Sequence, residues 1–146
     1  MIEIEIQNVS VEKKIPSTKL LKQWVKSALE TYATDGSLTL RIVDKDEMLN
    51  LNREYRGKAK PTNVLAFPFS HDDNEIMGDI IVCASVVAEE ALAQHKVLEE
   101  HWAHLVIHGA LHLAGFDHIK EEEALVMEGL EVEILAKLGI HNPYSF

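Results

Sequence analysis

Hydrophobic and polar residues alternate at the start of the chain, where Ile2, Ile4 and Ile6 are separated by glutamates. An alternation with a period of two is typical of a strand that buries one face. Three further strands are predicted at 37–43, 64–67 and 79–83. The last of them, DIIVC, is mostly apolar, which indicates a strand in the interior of a sheet.

The remaining hydrophobic residues recur with a helical period. Helices are predicted at about 17–33, 85–95, 98–114 and 120–138. One more helix reaches Tyr55 and stops at Gly57, and Asp44 and Glu47 stand in positions suited to capping its start. Pro16 precedes the first helix, and Gly36 follows it.

The order of these elements is strand, helix, strand, helix, two strands and three helices. This order predicts an α+β fold in which a mixed sheet of about four strands is covered by about five helices. No break in composition and no Gly/Ser-rich stretch indicates a linker, and 146 residues suit one core. We therefore expect a single domain over 1–146.

The composition is that of a soluble globular protein, with 47% hydrophobic and 26% charged residues. The only cysteine, Cys83, excludes an internal disulfide and a cysteine-type zinc finger, and it favours a reducing compartment. The chain starts without a basic segment followed by an apolar one, and no apolar run approaches the ~20 residues of a membrane span. We expect a cytoplasmic protein without membrane contact.

The formal net charge of −10 argues against indiscriminate binding to polyanions. The charge is unevenly distributed, because residues 1–60 hold 11 basic and 9 acidic groups while residues 61–146 hold 3 and 15. The first part is thus +2 and the second −12. A local basic surface is compatible with this asymmetry, and so is a simple difference between solvated helices.

Five of the eight histidines lie between His101 and His118. His108 and His112 are four residues apart on a predicted helix, so both rings project from one face. Gly115 is able to take a positive φ and end the helix, and a chain that turns back there would bring His118 to the same point. Three histidines with a fourth position open predict a catalytic zinc site, although imidazole also suits nickel, copper and iron.

Two neighbours of this set have open roles. His104 lies one turn before His108 and would support a ligand, contact the substrate or act as an alternative ligand. Asp117 would orient a ligand, handle protons or merely help the turn. Glutamates 121–123 follow closely, but the helix dipole favours carboxylates in a first turn, so they are left out of the site.

The spacing H-x-x-x-H-x-x-G-x-x-H is the ligand pattern of the metzincin zinc proteases, and the predicted site helix is metzincin-like in this respect. In those proteases a glutamate follows the first histidine and serves as the general base. Here that position is Gly109. A glycine has no side chain to activate water, which weakens the peptidase hypothesis.

The segment HGALHLAGFDH resembles the signature HGxLHLxGYDH of the YbeY endoribonucleases, with Phe116 in place of tyrosine. LNREYRGKAKPTNVLAFPF at 51–69 is similar to the family's LNxxYRxKxxPTDVLSFPF, and MGDIIVC is similar to its LGDIVI-type strand. Asn63 and Ala66 depart from the family's Asp and Ser. The resemblance implies a mixed sheet with a metal site on a helix.

The resemblance also implies roles for basic residues. Arg56 matches the family's functional arginine, and a guanidinium can hold a phosphate through two parallel hydrogen bonds. Arg53, Lys58 and Lys60 would extend a basic patch for RNA. Met48, Leu49, Tyr55 and the strand at 64–67 are instead expected in the core.

The function that the resemblance implies is a zinc-dependent, single-strand-specific endoribonuclease in ribosomal RNA maturation and ribosome quality control. Its expected partners are ribosomal RNA, the small ribosomal subunit and a ribosome-associated protein. One alternative is a ribosome-assembly factor in which the metal is structural, and another, less favoured, is a zinc peptidase. The residues do not identify the attacking nucleophile or a general base.

Overall fold

The computed structural model of this chain describes residues 1–69, 75–116 and 120–145. The strands are β1 (Ile2–Asn8), β2 (Asp35–Val43), β3 (Val64–Pro68) and β4 (Glu75–Cys83). The helices are α1 (Thr18–Leu29), α2 (Lys45–Arg56), α3 (Ala84–Ala93), α4 (Leu98–Leu113) and α5 (Glu121–Lys137).

The strands form one mixed sheet in the order β1-β2-β4-β3. β1 pairs with β2 and β2 pairs with β4 in parallel, whereas β3 pairs with β4 in antiparallel orientation and lies at the sheet edge. The predicted α+β class, with a mixed sheet and five helices, is confirmed.

Helix α4 occupies the centre of the larger core. It packs against β3 and β4 on one side, and α1, α3 and α5 contact it from others. Most of its residues are buried, because strands and helices contact it from several sides. A smaller cluster includes Met48, Leu65, Ile81 and Cys83 and joins α2 to the sheet. The expected core positions of Met48 and Leu65 are confirmed, whereas Leu49, Val64, Ala66 and Phe67, which were also expected in the core, are only half-buried.

The predicted capping of α2 is wrong. Asp44 is the N-cap residue, but its side chain makes no capping hydrogen bond. Its carboxylate instead accepts hydrogen bonds from Ser10 Oγ at 2.6 Å and from the backbone N–H of Val11 at 2.9 Å. Glu47 forms an ion pair with Arg41. Both carboxylates therefore hold neighbouring segments of the chain rather than the start of the helix.

Several predicted boundaries also shift. α1 ends at Leu29 rather than near residue 33, and Gly36 lies inside β2. β4 begins at Glu75, which the sequence placed in a polar loop. Throughout the described ranges, no helix combines the length and the apolar character needed to cross a membrane.

Candidate active site

A groove of about 460 Å³ lies between the end of α2, strand β3 and the middle of α4. Its lining is formed by Tyr55, Arg56, residues 62–67, His108, Gly109 and His112. Arg56 thus borders the same groove as His108 and His112, two of the predicted metal ligands, although it is about 50 residues away from them in the sequence.

His108 and His112 lie side by side on α4, with their Nε2 atoms 3.1 Å apart. The helix brings them together because residues four apart lie on one face. This is within hydrogen-bond distance, and it is also near the ~3.3 Å that separates two nitrogens bound to one tetrahedral zinc ion at ~2.05 Å.

A buried carboxylate from α5 orients His108. Glu131 Oε2 lies 2.6 Å from His108 Nδ1, and Glu131 Oε1 lies 2.7 Å from His104 Nε2 and also accepts a hydrogen bond from the Tyr144 hydroxyl. Burial raises the pKa of Glu131, but the hydrogen bonds from His104, His108 and Tyr144 outweigh it and hold the pKa at about 2. The carboxyl is therefore ionised at neutral pH.

The ionised carboxylate determines the tautomer of His108. Because a carboxylate only accepts hydrogen bonds, Nδ1 of His108 donates, and in a neutral ring Nε2 then carries the lone pair. A lone pair at Nε2, beside a second imidazole, is the form that binds a transition metal. The two imidazoles fit a metal ion such as Zn²⁺. Burial and the hydrogen bond to Glu131 raise the pKa of Tyr144, so the Tyr144 hydroxyl stays protonated and donates to Glu131.

The third predicted ligand, His118, and the neighbouring Asp117 lie outside the described residues. Within the described ranges, no three His, Cys, Asp or Glu side chains form a group that could hold an ion. Gly115 has a φ of +102°, so the predicted turn after α4 does use its conformational freedom. The assignment of His108, His112 and His118 as ligands stays a prediction.

Gly109 allows α4 to pack closely on the sheet. A Cβ built at this position would lie 2.9 Å from Ile80 Cγ2 and 3.2 Å from Val64 Cγ2. Both contacts are with methyl groups on branched carbons, which cannot swing away as the end of a long side chain can. A glutamate, the base of the metzincin proteases, does not fit here without repacking Ile80 and Val64.

Arg56 is the last residue of α2, and Gly57 ends the helix with a φ of +69°. The turn that follows is held by buried Asn52, whose Nδ2 donates to the carbonyl of Lys60 at 2.8 Å. Arg53, Lys58 and Lys60 are exposed nearby but lie outside the groove lining. The structure therefore brings Arg56 to the histidines and leaves the other basic residues at the periphery.

A family profile described as "Endoribonuclease YbeY" matches residues 2–139. The chain belongs to the YbeY family. Proteins with that same description from Hydrogenovibrio crunogenus and Colwellia psychrerythraea are 51% and 49% identical to it. The alignments cover 92% of this chain and 90% of the first relative, and 97% of this chain and 96% of the second.

The YbeY-family fold is also similar to a solved structure. The solution structure of TM1509 from Thermotoga maritima aligns over 100% of both chains with a TM-score of 0.62 and 29% identity.

Sequence reasoning misplaced Tyr55, a groove residue of this YbeY-family chain, and missed Glu131, which lies behind the groove in contact with His108. Tyr55 was expected in the core, but it is 60% exposed and its ring centroid lies 5.1 Å from that of Phe67. Glu131 was not considered at all. Its only signal is its position four residues from both Met127 and Leu135, which places an acid on the buried face of α5.

Asn63, which stands where the family has aspartate, forms a hydrogen bond with a nearby side chain. Asn63 Nδ2 donates to the carboxylate of Glu90 at 3.2 Å, and Glu90 also pairs with His101 Nε2 at 3.0 Å. An aspartate at 63 would instead face Glu90 with a second negative charge. Ala66 lines the groove, and because its side chain is only a methyl group, position 66 supplies no polar side chain in this chain.

Proposed function

We propose that this YbeY-family protein is a zinc-dependent endoribonuclease that cleaves single-stranded RNA during ribosomal RNA maturation and ribosome quality control in the cytoplasm. The observation that carries the proposal is the shared groove, in which Arg56 faces the same space as His108 and His112. The relatives described as endoribonucleases support the reaction class.

The proposed zinc site uses His108, His112 and His118. When bound, the ion would neutralise charge that develops on the phosphate and lower the pKa of a bound water. The chain's own contribution is to keep the two described imidazoles on one face of α4, with His108 held by Glu131.

Arg56 is proposed to bind the scissile phosphate. It is exposed at the end of α2 and is free to align its planar guanidinium with two phosphate oxygens. Arg53, Lys58 and Lys60 would attract the RNA backbone from outside the groove, because clustered positive charge raises the local concentration of a polyanion.

The exposed ring of Tyr55 supports the proposed preference for single-stranded RNA. This ring stands at the groove beside Arg56 and offers a flat apolar surface. Unpaired bases stack on such rings, whereas paired bases are already stacked within a duplex.

The acidic remainder of the chain makes a partner part of the proposal. The net charge of −12 over residues 61–146 opposes the binding of RNA to that part of the chain. A basic ribosome-associated protein would compensate for this repulsion and bring the groove to RNA of the small subunit.

The decisive experiment is cleavage of precursor ribosomal RNA, and of a synthetic oligonucleotide in single-stranded and duplex form, by zinc-loaded protein. A His112→Ala variant purified identically reports contaminating nuclease. We expect cleavage of the single strand only, which disappears in the variant and with a chelator. Equal cleavage by the variant would refute the proposal. Binding to small-subunit precursors without any cleavage would favour the assembly-factor alternative.

A further inference from the structure

Glu131 is a carboxylate side chain in the interior of the protein, hydrogen-bonded to three other side chains. Its side chain is 0% exposed, and its neighbours one turn away on α5, Met127 and Leu135, are buried core residues. Removing a charge from water is costly unless hydrogen bonds replace the lost hydration. A fully apolar residue at this position of the helix would pack into the core without that cost.

Three donors compensate the charge of Glu131, and they come from separate segments. His104 and His108 lie one turn apart on α4, and Tyr144 lies in the segment that follows α5. One carboxylate oxygen faces His104 and Tyr144, and the other faces His108. The hydrogen bonds with His104 and Tyr144 therefore fix the orientation of the carboxylate group, and its other oxygen contacts His108.

This arrangement leaves His108 little rotational freedom. Its Nδ1 is bound at 2.6 Å, and its Nε2 points to His112 Nε2 at 3.1 Å. A ring held at one nitrogen presents the other nitrogen in a fixed direction, and the negative charge behind it makes that nitrogen a stronger donor to a metal.

We propose that Glu131 is a positioning residue for metal binding, which orients His108 and is itself held by His104 and Tyr144. This inference rests on the proposed metal site and extends it to α5 and to the C-terminal segment. It gives His104 an indirect role, as a residue that supports a ligand rather than as a ligand.

The test measures zinc affinity by competition with a chromophoric chelator, so it does not depend on RNA cleavage. Glu131→Gln keeps the shape of the side chain and removes its charge. We expect zinc binding to weaken about 10- to 100-fold, the usual effect of losing a carboxylate behind a ligating histidine. Glu133→Gln, an exposed acid on the same helix, is the matched control and should bind zinc like the parent.

Tyr144→Phe is the second variant, because it removes one hydroxyl from a side chain that is 40% exposed and should fold normally. We expect a smaller loss of zinc affinity, about two- to fivefold, since Glu131 keeps its two histidine partners. The absorption spectrum of the Co²⁺-substituted protein should change in Glu131→Gln and not in Glu133→Gln, because it reports the geometry of the ligands directly.

Melting temperatures of metal-free and zinc-loaded protein separate positioning from a merely structural role. Positioning predicts that Glu131→Gln reduces the increase in melting temperature that zinc produces. If Glu131→Gln and Tyr144→Phe bind zinc as tightly as the parent and change only the metal-free melting temperature, the inference is wrong while the metal site stands. If the parent chain binds no zinc, the proposed function and the inference both fail.

Discussion

The two walls of the groove are built in opposite ways. The histidine wall (His108 and His112) lies on α4 and is half-buried, and the buried Glu131 of α5 holds it from behind through a hydrogen bond with His108. The arginine wall (Tyr55, Arg56 and residues 62–67) combines the edge strand β3 with exposed side chains at the end of α2. A metal site requires ligands held within tenths of an ångström, whereas a long flexible substrate requires an accessible surface that adapts to it.

The largest expected effect comes from breaking the histidine wall. In the double variant His108→Ala/His112→Ala, bound zinc should fall from about one ion per chain to below about one tenth, because the one ligand left cannot hold the ion. Elemental analysis of the purified proteins measures this. His141→Ala removes an exposed histidine away from the groove and should keep the parental zinc content. Unchanged zinc in the double variant would show that the ion binds elsewhere.

Breaking the arginine wall should leave zinc unchanged and slow the reaction. Arg56→Glu replaces a phosphate donor by a repelling carboxylate, so RNA cleavage should fall at least about tenfold, or ~1.4 kcal/mol of transition-state stabilisation. Arg56→Lys keeps the charge without the two-pronged geometry and should fall between the parent and Arg56→Glu. Lys19→Glu makes the same charge change on α1, away from the groove, as a control. Parental cleavage by folded, zinc-loaded Arg56→Glu would contradict the phosphate role.

A milder change in the same wall tests base stacking. Tyr55→Ala should weaken binding to single-stranded RNA about fivefold, which corresponds to ~1 kcal/mol for one stacked base. Tyr55→Phe keeps the ring and should bind like the parent. Fluorescence anisotropy with a labelled oligonucleotide measures both variants. Equal affinity of the alanine and phenylalanine variants would mean that the ring does not contact a base.

The smallest expected effect concerns the link between the two walls. Glu90 accepts hydrogen bonds from Asn63 on the arginine wall and contacts His101 on α4, and the hydrogen bond with His101 lowers the pKa of Glu90. A lowered pKa stabilises the folded protein above the unfolded value of 4.5, and this stabilisation is lost as pH falls through the lower folded value.

Metal-free Glu90→Gln should therefore melt about 3 °C below the parent at pH 6, as expected for one hydrogen bond of ~1 kcal/mol, and the difference should shrink at acid pH. Differential scanning calorimetry across pH 6 to about 3 measures this. Glu89→Gln, which alters only an exposed pair with Lys45, should differ little from the parent at any pH. If the melting temperatures of Glu90→Gln and the parent differ by the same amount at every pH, the charge of Glu90 is not the cause of the difference.

Local patterns predicted most of the fold. Ile2 and Ile4 are buried at the spacing of two that predicted β1, and Gly57 and Gly115, which were predicted to end their helices, both have a positive φ. The position of β4 between β2 and β3 could not be read in the same way. Strand order depends on contacts between segments far apart in sequence, and the local spacing of hydrophobic residues does not reveal these contacts.

The wrong predictions for Asp44 and Tyr55 and the missed role of Glu131 also depend on contacts between segments far apart in sequence. Asp44 has a capping residue's local context, but its partner Ser10 is 34 residues away. Tyr55 continues an amphipathic helix, yet its ring is 60% exposed beside Phe67, a strand residue that contacts it from outside the helix. Glu131 is intelligible only beside His104 and His108, which approach it from 27 and 23 residues away. The helical spacing of His108 and His112 was predictable because both lie on a single helix.

The close contact at Gly109 restricts how this protein could change its chemistry in the course of evolution. A glycine inside a helix sacrifices about 1 kcal/mol of helix stability relative to alanine, and here it lets α4 approach Ile80 and Val64. Gaining a glutamate there requires Ile80 to shift and Val64 to move by a few tenths of an ångström, which costs packing energy in a dense core. Packing therefore opposes a one-step change from this scaffold to a metzincin-like peptidase.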